Sequence, residues 1–453
     1  MKTGIQRAVG IVTCLVIFFS LVACVHCLLQ KPRVYAGVAK VVKNYDHVTK
    51  PDGSWEAKRV AKPFVAPNDD NLLKWDAEHY NNIRCHLYER GKMWVGDYAF
   101  YPLFPLVWRV LGVGGIGISI VNLLLFMIGM TILVLTFGDG LPGWSFPLAL
   151  CLPMASVFVM PYSESLFFVG IASGICGLLK KRYWLYFVGF FAAMATRSAG
   201  SILVPAWIVT DILSAMHNRW SFRRFVSEMS LHLAPVIAGI FAVMLFQHLR
   251  GAEHWFEFVV AQREWGKSLS LPHFPLTEWS AESKSVSFPL LYMLLFPALF
   301  WLAWLCRRGN ADVYGPFDEW MQVRCLSVLY FVGNVMVALL TQHGCVNSLA
   351  RYLTCTPFFT FMVLDLSRRS ISRRWLYAMT FFVAVTVVLC VKMFTRMDSL
   401  GVVILLLTAV VVFFNSVMPR WLCNVLIGLN YVICIYWTAY LFNTFLAGGW
   451  LYT

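Results

Sequence analysis

Residues 8–29 of the chain read AVGIVTCLVIFFSLVACVHCLL, a run without a single Asp, Glu, Lys or Arg. A helix needs about 20 consecutive apolar residues to cross the hydrocarbon core of a bilayer. The run is also too long for the apolar core of a typical signal peptide, so we expect it to be a retained membrane helix. This stretch therefore predicts a chain that is built into a membrane.

The rest of the sequence continues the same pattern. Hydrophobic residues make up 59% of the 453-residue chain and charged residues only 13%, and the mean hydropathy is +0.67, outside the range of soluble proteins. Further apolar runs lie near residues 116–137, 145–161, 164–179, 183–196, 199–213, 231–249, 288–305, 322–341, 352–366, 375–394, 399–418 and 421–446. We predict an all-α polytopic membrane protein, a single domain over residues 1–453 with about 11–13 membrane helices. Several runs are shorter than a full crossing, which predicts broken helices buried against their neighbours.

The net charge of +14 comes from short basic clusters between apolar runs, a pattern that orients membrane helices rather than one that binds nucleic acid. If each run crosses once, all of these clusters lie on the side of the N-terminus, which the positive-inside rule assigns to the cytosol. They are Lys180 with Lys181 and Arg182, Arg219 with Arg223 and Arg224, Arg307 with Arg308, Arg368 and Arg369 with Arg373 and Arg374, and Arg420. The same count places residues 30–98, 161–164, 197–198, 250–287 and 342–351 on the opposite, luminal side.

The long polar interval at residues 30–98 carries the stretch Lys74-Trp75-Asp76-Ala77-Glu78-His79-Tyr80-Asn81-Asn82-Ile83. On a helix, one side would hold the residues at the spacing of an interfacial amphipathic helix: Leu72, Trp75, His79, Tyr80 and Ile83. Asp76 would share that side, and Glu78 would face away. The stretch is either an ordinary anchoring helix with a solvated or capping Asp, or a helix that aims one carboxylate at a membrane-level site.

Other polar residues fall at the predicted luminal ends of the apolar runs, at Tyr162-Ser163-Glu164-Ser165, Thr196-Arg197-Ser198, Gln262-Arg263-Glu264-Trp265-Gly266 and Arg351-Tyr352. Ionisable groups at membrane depth are costly and are therefore functional candidates. A carboxylate near arginines suits transfer of a group from a phosphate carrier, since arginines pair with phosphate oxygens and a carboxylate can take a proton from a hydroxyl.

Two other functions stay open from the residues alone. In a transporter, Asp76, Glu164 and Arg197 would bind an ion or substrate, although the charges cluster at one membrane face and no inverted repeat is visible. In a structural subunit, the same charges would only pair with partner chains.

Two further features of the sequence are expected to have structural roles. Residues 112–117, Gly-Val-Gly-Gly-Ile-Gly, match GxGxxG but follow no predicted strand and open into a membrane run, so close helix packing or a turn is expected there. Asp69 and Asp70 are expected to be plain loop charges, and no metal site is predicted.

A set of motifs, taken together, resembles the PIG-V family, the endoplasmic-reticulum transferase that adds the second mannose to glycosylphosphatidylinositol (GPI) precursors. The motifs follow the family's order: Trp75-Asp76, Tyr88-Glu89, Ala99-Phe100-Tyr101-Pro102-Leu103-Phe104-Pro105, Tyr162-Ser163-Glu164-Ser165-Leu166-Phe167, Ala195-Thr196-Arg197-Ser198-Ala199-Gly200, the Gln262 to Gly266 segment and Ala350-Arg351-Tyr352-Leu353. The resemblance covers residues 72–357 in outline.

This resemblance implies a GT-C glycosyltransferase fold in the endoplasmic-reticulum membrane, with a luminal active site and residues 30–98 as a long first luminal loop containing amphipathic helices. It implies dolichyl-phosphate mannose as donor, a GPI precursor glycolipid as acceptor, α1,6 transfer, and no cofactor besides the lipid-linked donor. A small accessory membrane subunit is a further candidate partner. Other GT-C mannosyltransferases that extend lipid-linked glycans are the nearest alternative.

The resemblance also suggests roles at the reaction centre. Asp76 is expected to activate the 6-hydroxyl of the first mannose, because one inverting displacement needs only one base. Arg197 and Arg351 are candidates for binding the donor phosphate, with structural pairing to Glu164 or to a helix end as the alternative. Glu164 either buttresses the site or caps the helix that begins near Ser165, and we favour capping.

The remaining candidates would contact the substrates. Trp75 and Tyr80 would form walls against sugar and lipid, or else serve as aromatic residues of the membrane interface. His79 is a candidate for the acceptor site, although a packed interfacial histidine is favoured. Glu264 and Trp265 are candidate acceptor contacts.

The chain departs from the family in three places. The interval between Asp76 and Ala99 is longer and carries Arg84, Arg90 and Lys92. Residues 30–70 resemble an insertion, and the C-terminal helices at residues 367–453 match only weakly.

Overall fold

The computed structural model describes residues 2–41, 46–49, 55–58, 64–271, 291–307, 317–342, 346, 348–369, 373–390 and 399–449. Its helices in the first half are α1 Lys2–Leu29, α2 Pro32–Val41, α3 Asp76–His86, α4 Leu103–Leu111, α5 Gly115–Phe137, α6 Ser145–Ala149, α7 Glu164–Leu179, α8 Tyr183–Thr196 and α9 Leu203–Asn218. Those in the second half are α10 Phe222–Leu249, α11 Glu257–Val260, α12 Phe296–Arg307, α13 Glu319–Thr341, α14 Leu349–Thr354, α15 Pro357–Ser367, α16 Arg373–Cys390, α17 Ser399–Phe414 and α18 Arg420–Leu446. Short 3₁₀ segments lie at Val95–Ala99, Gly138–Gly140, Ala155–Val159, Ser198–Ile202 and Ala261–Trp265, and a π-helical turn at Leu291–Leu295.

The chain is a helical polytopic membrane protein, as predicted. Within the described residues, six helical stretches are long and apolar enough to cross a bilayer: Gly4–Leu29, Gly115–Phe137, Ser198–Asn218, Phe222–Leu249, Glu319–Thr341 and Arg420–Leu446. Six more apolar helices have only 10–17 residues. The count of about 11–13 crossings stays a prediction, because these shorter helices span a bilayer only if they are helped by their neighbours.

The predicted all-α class misses one small β-hairpin in the loop at residues 30–98. Strand β1, Asp46–Thr49, pairs antiparallel with β2, Trp55–Lys58, and Asp46 lies opposite Lys58. Four residues per strand are too few for a readable alternation of apolar and polar positions. The Pro-Asp-Gly triplet at residues 51–53 was the available turn signal.

Two of the predicted basic clusters, those that contain Lys181 and Arg368, lie at the same end of the bundle. Lys181 Nζ is 2.9 Å from Glu319 Oε1 at the start of α13. One turn further, Arg324 and Arg368 both pair with Asp365, and the Arg368 guanidinium lies 4.2 Å from the ring centre of Trp320. We call this the basic end. It agrees with the predicted alternation of the runs, although Arg308 lies outside the described residues.

Residues 145–161 cross the bundle as a broken segment. Helix α6 stops at Ala149, and prolines at 142, 147, 153 and 161 prevent a continuous helix. Side chains of neighbouring helices bond the carbonyls that the break leaves open. Trp437 Nε1 donates to the Pro153 carbonyl at 2.7 Å, and Asn122 Nδ2 donates to the carbonyls of Met160 and Tyr162 at 2.6 and 2.8 Å. The prediction of broken, buried helices is confirmed here.

Close packing of α7 on α8 sets the position of the candidate site. A Cβ atom on Gly177 would lie 2.2 Å from the backbone nitrogen of Tyr186, and one on Gly189 would lie 2.5 Å from that of Gly174. Only glycine permits such backbone contact between helices. Because Glu164 begins α7 and Arg197 directly follows α8, this packing brings the two side chains together at the end of the bundle opposite the basic end.

Candidate functional site

Asp76 is the first residue of α3, so the helix begins later than the amphipathic pattern predicted. Trp75 has a backbone φ of 54°, in the left-handed region, which a right-handed helix cannot contain. Leu72 and Trp75 therefore precede the helix, and the predicted apolar side is corrected to the buried positions Ala77, Tyr80 and Ile83. Glu78 is exposed, as expected. A carboxylate in the first turn of a helix is favoured by the positive end of the helix dipole.

Two arginines and two carboxylates form one continuous chain of ion pairs. Arg351 Nη2 lies 2.6 Å from Asp76 Oδ2, and Arg351 Nε donates to Glu164 Oε1. Arg197 Nη1 pairs with the same Glu164 oxygen. The charges of these four residues balance, which is how ionised groups are accommodated away from water. We call Asp76, Arg351, Glu164 and Arg197 the ion-pair chain.

Asp76 is the member of the ion-pair chain that a substrate can reach most easily. Its side chain is 23% exposed, whereas that of Glu164 is 3% exposed. Glu164 instead bridges both arginines from the start of α7, which is a buttressing role rather than the capping role that we favoured. Its second oxygen, Oε2, is buried and has no hydrogen-bond partner among the described residues.

Aromatic rings flank both guanidinium groups. The Arg351 group lies 4.4 Å from the ring centre of Tyr162, and the Arg197 group lies 5.5 Å from that of Tyr352. Such contacts restrict the planes of the guanidinium groups and add cation–π attraction. The arginines are thus held in defined orientations.

Tyr80 links α3 to the ion-pair chain. Its hydroxyl lies 2.6 Å from Ser163 Oγ, which also accepts a hydrogen bond from Arg197 Nη1 at 3.4 Å. Burial raises the pKa of the Tyr80 phenol well above its ordinary range. Tyr80 is therefore neutral at physiological pH and is a hydrogen-bonding residue, not a base.

The charged residues of the site lie where helices begin, end or break. Glu164 is the first residue of α7, Arg197 has extended backbone between α8 and a 3₁₀ turn, and Arg351 lies in the six-residue α14. Non-helical backbone at membrane depth is tolerated where it is buried in protein or lines a cavity. The short helix α14 also corrects the expectation that Arg351 merely abuts the start of a long run.

A small cavity adjoins both arginines, lined by Glu164, Phe167, Arg197, Tyr330, Arg351, Tyr352, Cys355 and Thr356. The volume open to the centre of a water molecule is about 10 Å³, which is room for about one water. A sugar phosphate does not fit while the four charged residues are paired with one another. Binding such a ligand inside this cavity would require the ion-pair chain to open.

His79 lies one turn after Asp76, inside an aromatic cluster. Its Nδ1 is 2.6 Å from Asp97 Oδ1, and its ring stacks on Phe100 with 5.0 Å between ring centres. Trp265 contacts the edge of the imidazole at 4.9 Å, and Trp94 lies 5.7 Å away. The ring is packed, which is compatible with either predicted role, and its carboxylate partner was not predicted.

The structure places the other predicted contact residues, Trp265, Glu264 and Trp75, in different surroundings. Trp265 Nε1 donates to the Gly96 carbonyl at 3.0 Å, which fixes its ring over His79. Glu264, its neighbour, is exposed and takes no part in the ion-pair chain. Trp75 Nε1 donates at 3.0 Å to the carbonyl of Gly449, just beyond α18.

The sequence interpretation missed two features of this site. Asp97 is fully buried, and the only available signal was a lone carboxylate just before the aromatic run at residues 98–101. The contact of Trp75 with Gly449 was also missed, because residues 367–453 carry none of the motifs that predicted the site. Among the described residues, no group of three or more His, Cys, Asp or Glu side chains is placed to hold a metal ion.

Comparison with known protein families, with curated proteins and with solved structures yields no match. The resemblance to the PIG-V family therefore rests on the motifs in the sequence and stays a prediction. Any function must be argued from the geometry of the ion-pair chain and its surroundings.

Proposed function

We propose that this chain is an inverting GT-C glycosyltransferase. It would move mannose from dolichyl-phosphate mannose to the first mannose of a GPI precursor, in α1,6 linkage, at the luminal face of the endoplasmic-reticulum membrane. The observation that carries the proposal is the ion-pair chain, which joins a reachable carboxylate to two buried arginines at one end of a membrane bundle. Transfer of a sugar from a lipid phosphate needs a carboxylate and arginines of this kind.

Donor binding would release the base. Phosphate oxygens accept paired hydrogen bonds from a guanidinium group, as carboxylate oxygens do. A donor phosphate bound between Arg351 and Arg197 would replace the bond from Arg351 to Asp76, while Glu164 keeps its bonds to both arginines. Asp76 would then be free to accept a proton, so that a competent base arises only when the donor is in place.

The chemistry balances with the residues of the site. The acceptor hydroxyl oxygen attacks the anomeric carbon of mannose while the bond from that carbon to the phosphate oxygen breaks. The hydroxyl proton passes to Asp76, and the negative charge that develops on the departing dolichyl phosphate is stabilised by Arg351 and Arg197. A single displacement converts the β-linked donor into an α-linked product.

The position of the site suits lipid-linked substrates. The ion-pair chain lies at the end of the bundle opposite the basic end, and the positive-inside rule assigns the basic end to the cytosol. The site would then face the lumen, where the lipid tails of both substrates can stay in the bilayer.

The test uses microsomes from cells that lack only the endogenous second-mannose activity, so that any accessory subunits remain. The chain is added back, and dolichyl-phosphate mannose and a one-mannose GPI precursor are supplied. The product is identified by mass and by sensitivity to α1,6-mannosidase. We expect a two-mannose lipid from the wild type and none above background from Asp76→Asn.

Glu78→Gln is the matched control for this test. Glu78 lies two residues along the same helix but is exposed, so its loss should leave transfer near the wild-type rate. Correctly inserted wild-type protein that makes no two-mannose lipid would overturn the proposal and favour a transporter. Strong activity in Asp76→Asn would remove Asp76 as the base.

A further inference from the structure

Asp97 and His79 form a second buried charge-bearing unit beside the ion-pair chain. Asp97 has no solvent exposure, and His79 is the hydrogen-bond partner of its Oδ1. Its Oδ2 is buried and has no partner among the described residues. A fully buried carboxylate is costly, so a purely structural role would require more satisfied bonds than Asp97 makes.

The contact with Asp97 determines what His79 can offer to a ligand. Since an ionised carboxylate only accepts hydrogen bonds, we assign the proton of this contact to Nδ1 of His79, which then donates to Asp97. In the neutral ring, Nε2 is then left as an acceptor. The His79 side chain is 20% exposed, so one edge of a ring that is otherwise clamped remains open.

Trp94 and Trp265 form an aromatic wall beside His79. Trp265 is anchored by its bond to Gly96, and Trp94 meets Trp265 with 5.0 Å between ring centres. Trp94 is 42% exposed, so part of its ring surface is accessible to a ligand. A rigid aromatic wall beside a fixed hydrogen-bond acceptor suits a pyranose ring, which has apolar CH faces and hydroxyl edges.

The aromatic wall lies close to Asp76, the proposed base. His79 follows Asp76 by one helical turn, a spacing that places the two Cβ atoms about 5–6 Å apart on one face of the helix. A sugar on the wall would therefore present a hydroxyl toward Asp76.

We propose that His79, Trp94 and Trp265 form the subsite for the acceptor sugar and that Asp97 is a positioning residue that orients His79. A hydroxyl of the acceptor donates to His79 Nε2, and the pyranose ring lies against the tryptophans. This proposal rests on the proposed mannosyl transfer, and it adds the recognition of the acceptor, which is separate from the arginines that bind the donor.

The test measures initial rates of mannose transfer with each substrate varied in turn, using dolichyl-phosphate mannose and a synthetic one-mannose GPI precursor. Replacing His79 by Ala, or Asp97 by Ala, should raise the KM for the acceptor by about three- to tenfold, the effect of one lost hydrogen bond. The KM for the donor should change by less than about twofold, within the scatter of such comparisons. Asp97→Asn, whose amide oxygen can still accept from Nδ1, should restore much of the acceptor affinity.

His248→Ala is the matched control. His248 also stacks on a tryptophan, Trp255, at 4.5 Å between ring centres, but it has no carboxylate partner among the described residues. Its removal should leave both KM values unchanged. Should Asp97→Ala fail to fold, Trp94→Leu provides the second variant, because that side chain is partly exposed, and it should raise only the acceptor KM.

The outcomes separate the two proposals. No product from the wild type means that the transferase proposal has failed. Product from the wild type, together with an unchanged acceptor KM in both His79→Ala and Trp94→Leu, overturns the acceptor subsite alone. An equal rise in both KM values would also overturn it, since that pattern indicates general distortion.

Discussion

Arg351 in α14 donates to Asp76 at the start of α3, with 2.6 Å between Nη2 and Oδ2, although most of the chain separates the two residues. Its Nε holds Glu164 at the same time. One guanidinium group thus connects the more exposed acid of the ion-pair chain to the more buried one. This contact suggests how a phosphate could control the availability of Asp76.

Arg351→Lys should reduce transfer by about 100-fold or more, in line with the loss of an electrostatic contact to a departing group. Lysine keeps the charge but is a point donor, so it cannot hold Asp76 and Glu164 in a fork. The measurement is kcat per folded protein in detergent micelles. Arg324→Lys is the matched control, because Arg324 makes a forked contact with Asp365 at the basic end. Its kcat should be unchanged, and an equal loss in both variants would contradict a specific role for Arg351.

Glu164 and Arg197 should be coupled in stability. Glu164→Gln alone leaves an excess positive charge in a buried site, which costs about 3–5 kcal/mol. Arg197→Gln alone leaves a milder imbalance, because Arg351 still holds Glu164. The double variant restores a balanced Asp76–Arg351 pair.

The double variant should therefore be more stable than Glu164→Gln alone, and the two substitutions should show a coupling free energy of about 1–3 kcal/mol. Thermal unfolding in detergent, completed as a double-mutant cycle, measures this coupling. Additive effects would show that the ion-pair chain is not an energetic unit. Transfer should be lost in both variants, because Glu164 orients Arg351.

The physics of membranes determines which parts of this structure could be predicted from the sequence. Glu164, Arg197 and Arg351 are polar residues at the ends of apolar runs, and alternating crossings with basic clusters on one side place all three at the same end. Their meeting with Asp76 was predictable for that reason. The start of α3 was not, because it depends on the left-handed backbone of Trp75, a tertiary effect that the apolar pattern does not record.

The pattern of apolar and polar residues also could not predict contacts between elements that are distant in the chain. Asp97 meets His79 because the 3₁₀ turn Val95–Ala99 packs on α3, and nothing in their spacing indicates this pairing. Trp75 meets the carbonyl of Gly449 for a similar reason. Helical periodicity describes one element at a time, so contacts between distant loops need the structure.

Gly177→Ala should impair folding by separating α7 from α8. The added methyl group would lie 2.2 Å from the backbone nitrogen of Tyr186, which cannot move without moving α8. Overpacking of this kind costs about 1–3 kcal/mol, and it should also lower transfer by displacing Glu164 relative to Arg197. Gly428→Ala in α18 is the control, because nothing lies within 4 Å of its added Cβ. That variant should gain up to about 1 kcal/mol from helix propensity, and similar losses in both variants would contradict the packing argument.

Asn122 supports the reaction centre from within the broken crossing. Its Nδ2 group bonds the carbonyls of Met160 and Tyr162, and Tyr162 in turn lies against the Arg351 guanidinium. Asn122→Leu keeps the number and branching of the side-chain heavy atoms but removes the donor to the buried Tyr162 carbonyl, at about 1–3 kcal/mol. The Met160 carbonyl still accepts from the Tyr162 backbone N–H. We expect a lower unfolding temperature in detergent and a reduced kcat in the protein that remains folded.

The control for Asn122 is Asn430→Leu. Asn430 is equally buried, but its Nδ2 donates to the helical carbonyl of Ile404 and to Thr408 Oγ1, and the Ile404 carbonyl keeps its bond within α17 when Asn430 is lost. Its replacement should therefore cost less stability and leave kcat unchanged. Because Asn122 contacts neither substrate in the proposed reaction, a loss of kcat confined to Asn122→Leu would show that the broken segment holds Tyr162, and through it Arg351, in place. Equal kcat values in the two variants would show that Asn122 contributes to folding but does not hold the reaction centre in place.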